Sequence, residues 1–467
     1  MEKRSEENNA SIPATADDYE VIVVGGGLAG VCAAVSASKP GARTLLIEKA
    51  PYAGGIATAS LEPSICNYFK NKSGEFVLQG APYELVERLA DKGAASPKWD
   101  QHRGHVIFDV ELGKLAMDEM LEDAGVDILY DSLVVGADVD ENRITHVKVA
   151  NRSGLQAYRG RCYVDATGDD DVANYAGVPL RMNGNPHSIL FRLGNVDIDR
   201  FVDYMREHPE EHFSDSDIGL GYEEALRMYD ETGRYQWHHF AAKKMRLVQD
   251  PIERGEYSEK WGRFYHMDAF QVHAIRQNGT LVVNTGFFDL RGPEGPAISD
   301  LLREGRKLAE HVADFARRTF PGCEESFILA TADAPGLRRT RWLDADYTMT
   351  WEEYESAPSY PDAVGRGVVM SQRPMHPTNK TFDIPLRCLL PPTIENLVIG
   401  SGRGASCEPA ELLRVMSVTM AVGQGAGVAA ATAAGGNGMI GEVDIESVQT
   451  ELRKQGVELQ AERGNRC

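Results

Sequence analysis

A chain of 467 residues, 42% hydrophobic and 25% charged, has material for more than one core and the composition of a soluble globular enzyme. Its formal net charge of −21 argues against nucleic acid and against docking on an anionic membrane, and it requires a local basic pocket for any anionic substrate. The seven cysteines are scattered, with no Cys-x-x-Cys and no ligand spacing with histidine, which fits a reducing, cytoplasmic setting better than a disulfide framework or a metal site.

Residues 1–17 are polar and are expected to be disordered. No run approaches the ~18–20 uncharged apolar residues that span a bilayer. The folded part opens on the apolar run Val21 to Val24, followed by Gly25-x-Gly27-x-x-Gly30. A helical Ala-rich stretch, Val31 to Ala37, comes next, and then a second apolar run, Thr44 to Ile47, which ends on Glu48. This is the βαβ dinucleotide fingerprint. The glycines permit a tight turn, a close approach of backbone to pyrophosphate and close helix–strand packing, and the terminal acid accepts hydrogen bonds from a ribose. The helix N-terminus, with Leu28 and Ala29, presents free N–H groups and a positive dipole end to the phosphates.

Beyond it the pattern predicts helices over Pro82–Lys92 and Leu112–Ala124, strands at 126–129 and 133–135, and a small β-meander that includes Ile144–Val149. A second nucleotide-like signature, Asp165-Ala166-Thr167-Gly168-Asp169, ends a strand. Residues 181–384 differ in texture. They carry most of the histidines, several arginine clusters and amphipathic helices such as Ser299–Arg318, and they read as an inserted substrate domain. Leu397 to Gly400 resumes the buried-strand pattern, and Leu412–Ala434 reads as a final Ala- and Gly-rich helix. The expected organisation is α/β: a Rossmann-like domain from 18–180 and 385–440, an inserted α+β domain, and a helical tail from 441–467.

Three separated blocks carry a resemblance: Val23 to Gly30 with Glu48 and Gly54-Gly55; Asp165 to Asp169; and Asn396 to Ala431, with Gly402-Arg403 and Gly423-Gln424-x-Ala426-Gly427. Together with Phe108-Asp109, Gly336-x-Arg338-x-Thr340-Arg341 and Asp383-Ile384-Pro385-x-Arg387, the chain resembles the FAD-dependent oxidoreductases related to succinate dehydrogenase and fumarate reductase flavoproteins. The resemblance implies a glutathione-reductase-type fold. In it Gly25, Gly27, Leu28, Ala29, Gly30, Glu48 and Lys49 hold the ADP half of FAD, and Val134 lies at the adenine. Gly54, Gly55, Ile56, Ala57 and Thr58 run along the pyrophosphate and ring, and Thr167, Gly168 and Asp169 close the pocket. Gly402, Arg403, Leu413 and Ser417 carry the flavin end, where a helix beginning near Leu412 stabilises the reduced ring. The relatives' ring-attaching histidine is replaced by the Ile56-Ala57-Thr58-Ala59 stretch, which implies non-covalent FAD.

Two stretches depart from the family pattern: Gly404 to Pro409, which is shorter and lacks the family histidine, and Val369 to His376. Both are expected on the substrate side, so the substrate does not carry over from relatives. His376 is a candidate for proton transfer or a hydrogen-bonded loop histidine. Arg387 and Arg403 are candidates for substrate or flavin anchors, or for ion-pair and phosphate contacts. His102-Arg103-x-His105 is either a segment folding over the ring or a polar loop, and His238, His239 and His266 are candidates to line the pocket. Arg338, Arg339 and Arg341 either meet a substrate anion or neutralise nearby acids such as Asp344 and Asp346. The expected activity is hydride transfer between flavin N5 and a small polar metabolite. Alternatives are an oxidase using O2 and a flavoprotein with a structural or complex-forming role. No second Gly-x-Gly-x-x-Gly marks a nicotinamide domain, so the electron partner stays open among O2, a quinone, a protein and transient nicotinamide, as does homo-oligomerisation.

Overall fold

The computed structural model describes residues 14–66, 69–102, 104–182, 185–211, 220–237, 245–257, 271–290, 294–371 and 377–459. Strand β1 (Ala14–Val24) runs into helix α1 (Leu28–Ser38) and strand β2 (Thr44–Ile47), which pairs parallel to β1 with Val21 beside Thr44 and Val24 beside Ile47. Val21 and Val23 point into one core and Ile22 and Val24 into another, so the uninterrupted apolar run belongs to a strand covered on both faces. Helices α2 (Ala81–Asp91) and α3 (Val110–Asp123) follow. Asp109 caps α3 through its side chain, which accepts from the backbone N–H groups of Glu111 and Leu112.

Strand β3 (Asp127–Leu129) pairs parallel to β2. The antiparallel meander β4 (Leu133–Asp140), β5 (Arg143–Asn151) and β6 (Gly154–Asp165) comes next. The last turns of β6 return parallel to β1, with Cys162 beside Val21 and Asp165 beside Val24. The sheet order is β3-β2-β1-β6-β5-β4.

The chain then leaves for a second sheet. It contains β7 (Asn185–Gly194), β8 (Arg234–Trp237), β9 (Gln271–Ile275), β10 (Thr280–Leu290) and β11 (Phe327–Thr331), in the antiparallel order β8-β9-β10-β7-β11. Helix α4 (Gly295–Thr319) buries Leu301, Leu308, Val312 and Phe315 in the core that lies on this sheet. Strands β12 (Ala363–Met370) and β13 (Pro377–Pro385) form a hairpin, and Val364, Val368, Phe382 and Ile384 belong to the first core. Within the stretch read from the sequence as the end of the inserted segment, Met349, Tyr354, Val364, Val368, Phe382 and Ile384 share the core of the first sheet.

Strand β14 (Leu397–Ile399) pairs parallel to the end of β6, on the side that the meander has vacated. The terminal helix α5 begins at Met416 and runs to Gly435. Residues 410–412 form a separate turn of 3-10 helix, so the helix does not start near Leu412 as expected. Val415 takes extended geometry at the helix N-cap. Helices α1 and α5 lie in close contact. A Cβ on Gly423 would come within 2.0 Å of the Ala29 carbonyl oxygen, and one on Gly427 within 2.2 Å of that of Ala33. Helix α6 (Ile445–Lys454) closes the described chain. Among the described residues no helix is long and apolar enough to cross a membrane, and the six cysteines there are unpaired.

Candidate functional site

Because β1, β2, β6 and β14 run parallel, they end at one edge of the sheet and bring four loops together there. A cleft of about 890 Å³ opens at that edge, near the top of the roughly 300–1,000 Å³ usual for cofactor and ligand sites.

The glycines of the first loop do different things. Gly25 sits at φ +100°, which an L side chain rarely adopts. A Cβ on Gly30 would meet the Gly25 carbonyl oxygen at 1.8 Å, so Gly30 serves packing beneath the turn and does not line the cleft. Gly27 lines it, and a Cβ there would find nothing nearer than the Gly55 Cα at 4.0 Å. Gly54 donates its N–H to the Gly26 carbonyl at 2.7 Å, which draws the Gly54-Gly55 turn beside Gly27. Glu48 is buried at the end of β2. Its carboxylate accepts from the Gly26 N–H at 2.5 Å and the Ala50 N–H at 2.8 Å. No side chain caps α1 and no acid stands in its first turn, which leaves its leading N–H groups directed at the cleft.

The second loop is braced from within. Asp165 is buried and accepts from the N–H and hydroxyl of Thr167 and from the Ala173 N–H. Burial pushes its carboxyl up to about 6. Asp170 follows at φ +53°, also buried, with a carboxyl raised by burial and then by Asp165 and Asp169. Arg403 spans to this loop from beyond β14. It donates to the carbonyls of Gly168 at 3.1 Å and Leu337 at 2.6 Å, and it pairs with Asp169 at 3.1 Å. Asp169 also accepts from the Thr340 hydroxyl, and Arg341 pairs with Asp171.

Most of the expected cofactor residues meet in this cleft: Gly25, Gly27, Leu28, Ala29, Glu48, Lys49, Gly54, Gly55, Ile56, Ala57, Val134, Thr167, Gly168, Asp169 and Arg403 all line it. Thr58 lies behind it, its hydroxyl bonded to the Ala53 carbonyl at 2.8 Å. Gly402 is packed where a Cβ would strike the Leu413 carbonyl at 1.9 Å, while Leu413 and Ser417 are buried and off the lining. The α5 end of the cleft is lined instead by Ser401, Arg414, Met416 and Thr419, which the sequence reading missed because it started the helix too early.

The catalytic candidates scatter. His376, Arg103, His238, His239 and His266 fall outside the described residues. Arg387 pairs with Asp362 and stacks on Tyr347 and Tyr360, away from the cleft lining. His105 is buried 3.3 Å from the Ser64 hydroxyl, also off the lining, and burial, aided by the charges of His273 and His102, pushes its pKa down to about 3. It is neither a polar surface group nor a cleft residue. Of the arginine cluster, Arg339 donates to the carbonyls of Cys407 and Ala405 and stacks on Trp342, and Arg341 reaches the cleft. Arg338 is partly buried next to cleft-lining Leu337, where desolvation and then the charge of Arg414 lower its pKa to about 9.

A second polar group stands where the second sheet meets the first layer. Gln271, His273 and Asn284 are buried. Strand pairing sets Gln271 opposite Asn284, and Gln236 opposite His273. The Nε2 of His273 lies 3.2 Å from one Glu62 carboxylate oxygen, and the Asn284 amide donates to the other at 3.1 Å. The Gln236 carboxamide and the Asn284 oxygen are buried without a hydrogen-bond partner among the described residues. Reading the sequence for histidine motifs missed this group. The available signal was the alternation of Gln271-Val-His273-Ala-Ile275, which puts two polar side chains on one face of a buried strand.

A parallel-strand edge with a glycine turn, a helix N-terminus and a carboxylate at the second strand is a dinucleotide-binding site. The chain belongs to the FAD dependent oxidoreductase family, whose model matches residues 20–452. Its cofactor is FAD, and the cleft fits it: the open space before Gly27 and the uncapped α1 terminus form a cradle for a pyrophosphate. The chain is similar to digeranylgeranylglycerophospholipid reductase 1 of Methanococcoides burtonii, with 27% identity over 201 residues that make up 40% of this chain and 48% of that protein. It is also similar to the digeranylgeranylglycerophospholipid reductase of Methanococcus vannielii, with 31% identity over 177 residues, 36% of this chain and 43% of that protein. The chain spans about half the length of the curated relatives it matches. Among solved structures it is similar to a geranylgeranyl bacteriochlorophyll reductase-like protein from Thermoplasma acidophilum, with a TM-score of 0.45 and 12% identity, covering 94% of this chain and 83% of that one.

Proposed function

We propose that the protein is an FAD-dependent dehydrogenase or reductase that moves a hydride between flavin N5 and a small polar metabolite. In this reading Glu48 receives the adenosine ribose, the first turn of α1 receives the pyrophosphate, and Arg403 holds the Thr167–Asp169 loop over it. The flavin end lies toward Ser401, Met416 and Thr419. Bound FAD supplies the two-electron acceptor or donor. The protein supplies position, a dry wall and a route for the proton. The cleft lining holds no histidine or cysteine among the described residues, which supports non-covalent attachment.

The observation that carries the substrate class is the polar cluster of half-buried Glu62 with buried Gln271, His273 and Asn284, which follows in the chain on the cleft-lining Ile56–Ser60 turn. Buried polar atoms without a partner cost roughly 1–3 kcal/mol each, so a cluster that keeps them favours a ligand that hydrogen-bonds. The named relatives are isoprenoid-lipid reductases. A long hydrocarbon tail would leave those atoms unpaired, which weighs against carrying that substrate over.

The test is anaerobic. FAD-loaded protein is mixed with a panel of polar hydroxy- and amino-compounds, and reduced protein with a geranylgeranyl phospholipid. The expected result is loss of the oxidised flavin's visible absorbance with a polar compound and no reoxidation by the lipid. Reoxidation by the lipid alone overturns the proposal. Yellow colour retained in an acid-denatured pellet overturns the non-covalent assignment.

A further inference from the structure

We propose that Glu62 is the proton-transferring group of the substrate site and that His273 and Asn284 are its positioning residues. This rests on the polar-metabolite reading above and adds to it the identity of the acid–base group and the bond that it serves. Nothing in the dinucleotide fingerprint points to Glu62.

Four observations meet on this residue. The first is its place in the chain. Ile56 and Ser60 line the cleft, and the Glu62 N–H donates to the Ile56 carbonyl at 3.2 Å, so Glu62 follows directly on the cleft-lining turn and is tied to it. The second is the backbone just before it. Leu61 is held at φ +57°, a left-handed conformation that costs a residue of this kind on the order of 1–3 kcal/mol and persists where the surroundings over-determine it. The Leu61 side chain is clamped with Val110, Leu190 and Val282 between the two layers, which fixes where Glu62 emerges.

The third is the division of labour in the pair. The Glu62 side chain is 18% exposed and His273 is 0% exposed, so the carboxylate is the partner with access from outside and the imidazole stands behind it. One carboxylate oxygen faces the His273 Nε2 at 3.2 Å and the other accepts from Asn284 at 3.1 Å. The Asn284 amide makes the hydrogen bond of the cluster to Glu62, while the His273 contact lacks hydrogen-bond geometry, so both carboxylate oxygens keep accepting capacity for a ligand. Asn284 is itself turned by the Gln271 oxygen, to which its amide donates at 3.3 Å. The fourth is the charge nearby. Arg414 lines the cleft, Arg338 is near enough for the two charges to act on each other, and Glu62 acts on Arg338.

The step balances as follows. In the oxidative direction a substrate C–H bond beside an O–H or N–H breaks, and its hydrogen leaves with both electrons as hydride to the flavin. The O–H or N–H proton passes to a Glu62 carboxylate oxygen, and a C=O or C=N bond forms. The substrate loses two electrons and the flavin gains them. In the reductive direction the Glu62 carboxylic acid returns the proton. The substrate class is therefore an alcohol or amine, or the matching carbonyl or imine, on a polar skeleton.

The experiment compares FAD-loaded wild type with Glu62→Gln, Glu62→Asp and His273→Gln. A positioned acid–base group contributes about 10²–10⁴-fold, so Glu62→Gln is expected to slow anaerobic flavin reduction by about 100-fold or more. It keeps FAD affinity and the thermal midpoint, and it loses the acid limb of the pH–rate profile. Glu62→Asp restores part of the rate and the limb. His273→Gln moves the midpoint of that limb, which a purely structural role would not do. A Glu62→Gln rate within about threefold of wild type with the limb intact overturns the proposal.

If no panel compound reduces wild type, the metabolite reading fails by itself, and a substrate-free measurement still decides Glu62. A carboxyl group at the reacting end senses the charge of the reduced ring. The flavin midpoint potential followed across roughly pH 5 to 9 is then expected to show a break in slope in wild type that is missing in Glu62→Gln, beside any break from the reduced ring's own ionisation, which both proteins share. An identical set of breaks in both proteins overturns the assignment.

Discussion

Two glycines three residues apart make opposite demands. At Gly27 the added Cβ meets only the Gly55 Cα at 4.0 Å, so Gly27→Ala is expected to fold with a stability loss of about 1 kcal/mol or less. Its methyl group enters the space reserved for the pyrophosphate, and FAD affinity is expected to fall by roughly 10- to 100-fold. At Gly30 the Cβ meets a backbone oxygen at 1.8 Å, so Gly30→Ala is expected to lose stability by about 1–3 kcal/mol or more even without cofactor. Denaturant unfolding of the apoproteins and flavin titration separate the two. Equal stability losses would sink the distinction. The sequence marks both positions as fingerprint glycines. Which one faces ligand and which faces protein depends on where the Gly54-Gly55 turn arrives, and that turn is held by a bond from Gly54 to Gly26 across the loop.

Helix α5 shows the same limit one level up. Its composition announces a tightly packed helix, and the packing partner turns out to be α1, reached through Gly423 and Gly427. In an isolated helix Gly→Ala is favourable by about 1 kcal/mol. Here Gly423→Ala and Gly427→Ala are each expected to destabilise by roughly 1–3 kcal/mol, because the backbone of α1 must yield. An unchanged or raised denaturation midpoint would contradict this. The start of α5 was not legible. Leu412 to Met416 is apolar enough to continue a helix, yet the 3-10 turn at 410–412 and the extended Val415 delay it, and this brings Arg414 and Met416 to the cleft.

Across the whole molecule, the two layers meet along a seam. Arg234 of β8 donates to the carbonyls of Ile107 at 2.9 Å and Ala94 at 2.9 Å, which belong to the first layer. Arg234→Met is expected to cost about 1–3 kcal/mol and to speed amide exchange over 94–107, and unchanged exchange would show that the seam is held elsewhere.

The histidines in this region make stability pH-dependent. His105 is pushed down to about 3 and His187 to about 4, in both cases chiefly by burial. Each stays neutral in the fold but binds a proton when unfolded below about 6.5, so stability falls as pH drops from about 6.5 toward 4. Asp165, raised to about 6, works the other way: its contribution is full below the unfolded value of 3.8 and is lost as pH rises through about 6. The double variant His105→Gln/His187→Gln is therefore expected to flatten the acid loss by on the order of 1.4 kcal/mol per pH unit per histidine. An identical slope in wild type and variant would contradict the assignment.

What the sequence determined alone is the cofactor end. The fingerprint is local: strand, turn, helix, strand and acid lie within thirty-odd residues, and their geometry follows from backbone sterics and the pairing of β1 with β2. The parallel arrangement then brings Thr167 and Arg403 to the same edge, as the family resemblance implied. The substrate end was decided by tertiary structure. Glu62, His273 and Asn284 are separated by more than two hundred residues at their extremes and carry no common motif. They meet only because β9 and β10 turn their polar face toward the first layer while Leu61 turns the chain to meet it. Pairings across such distances are set by which surfaces bury together, and spacing along one chain does not record that.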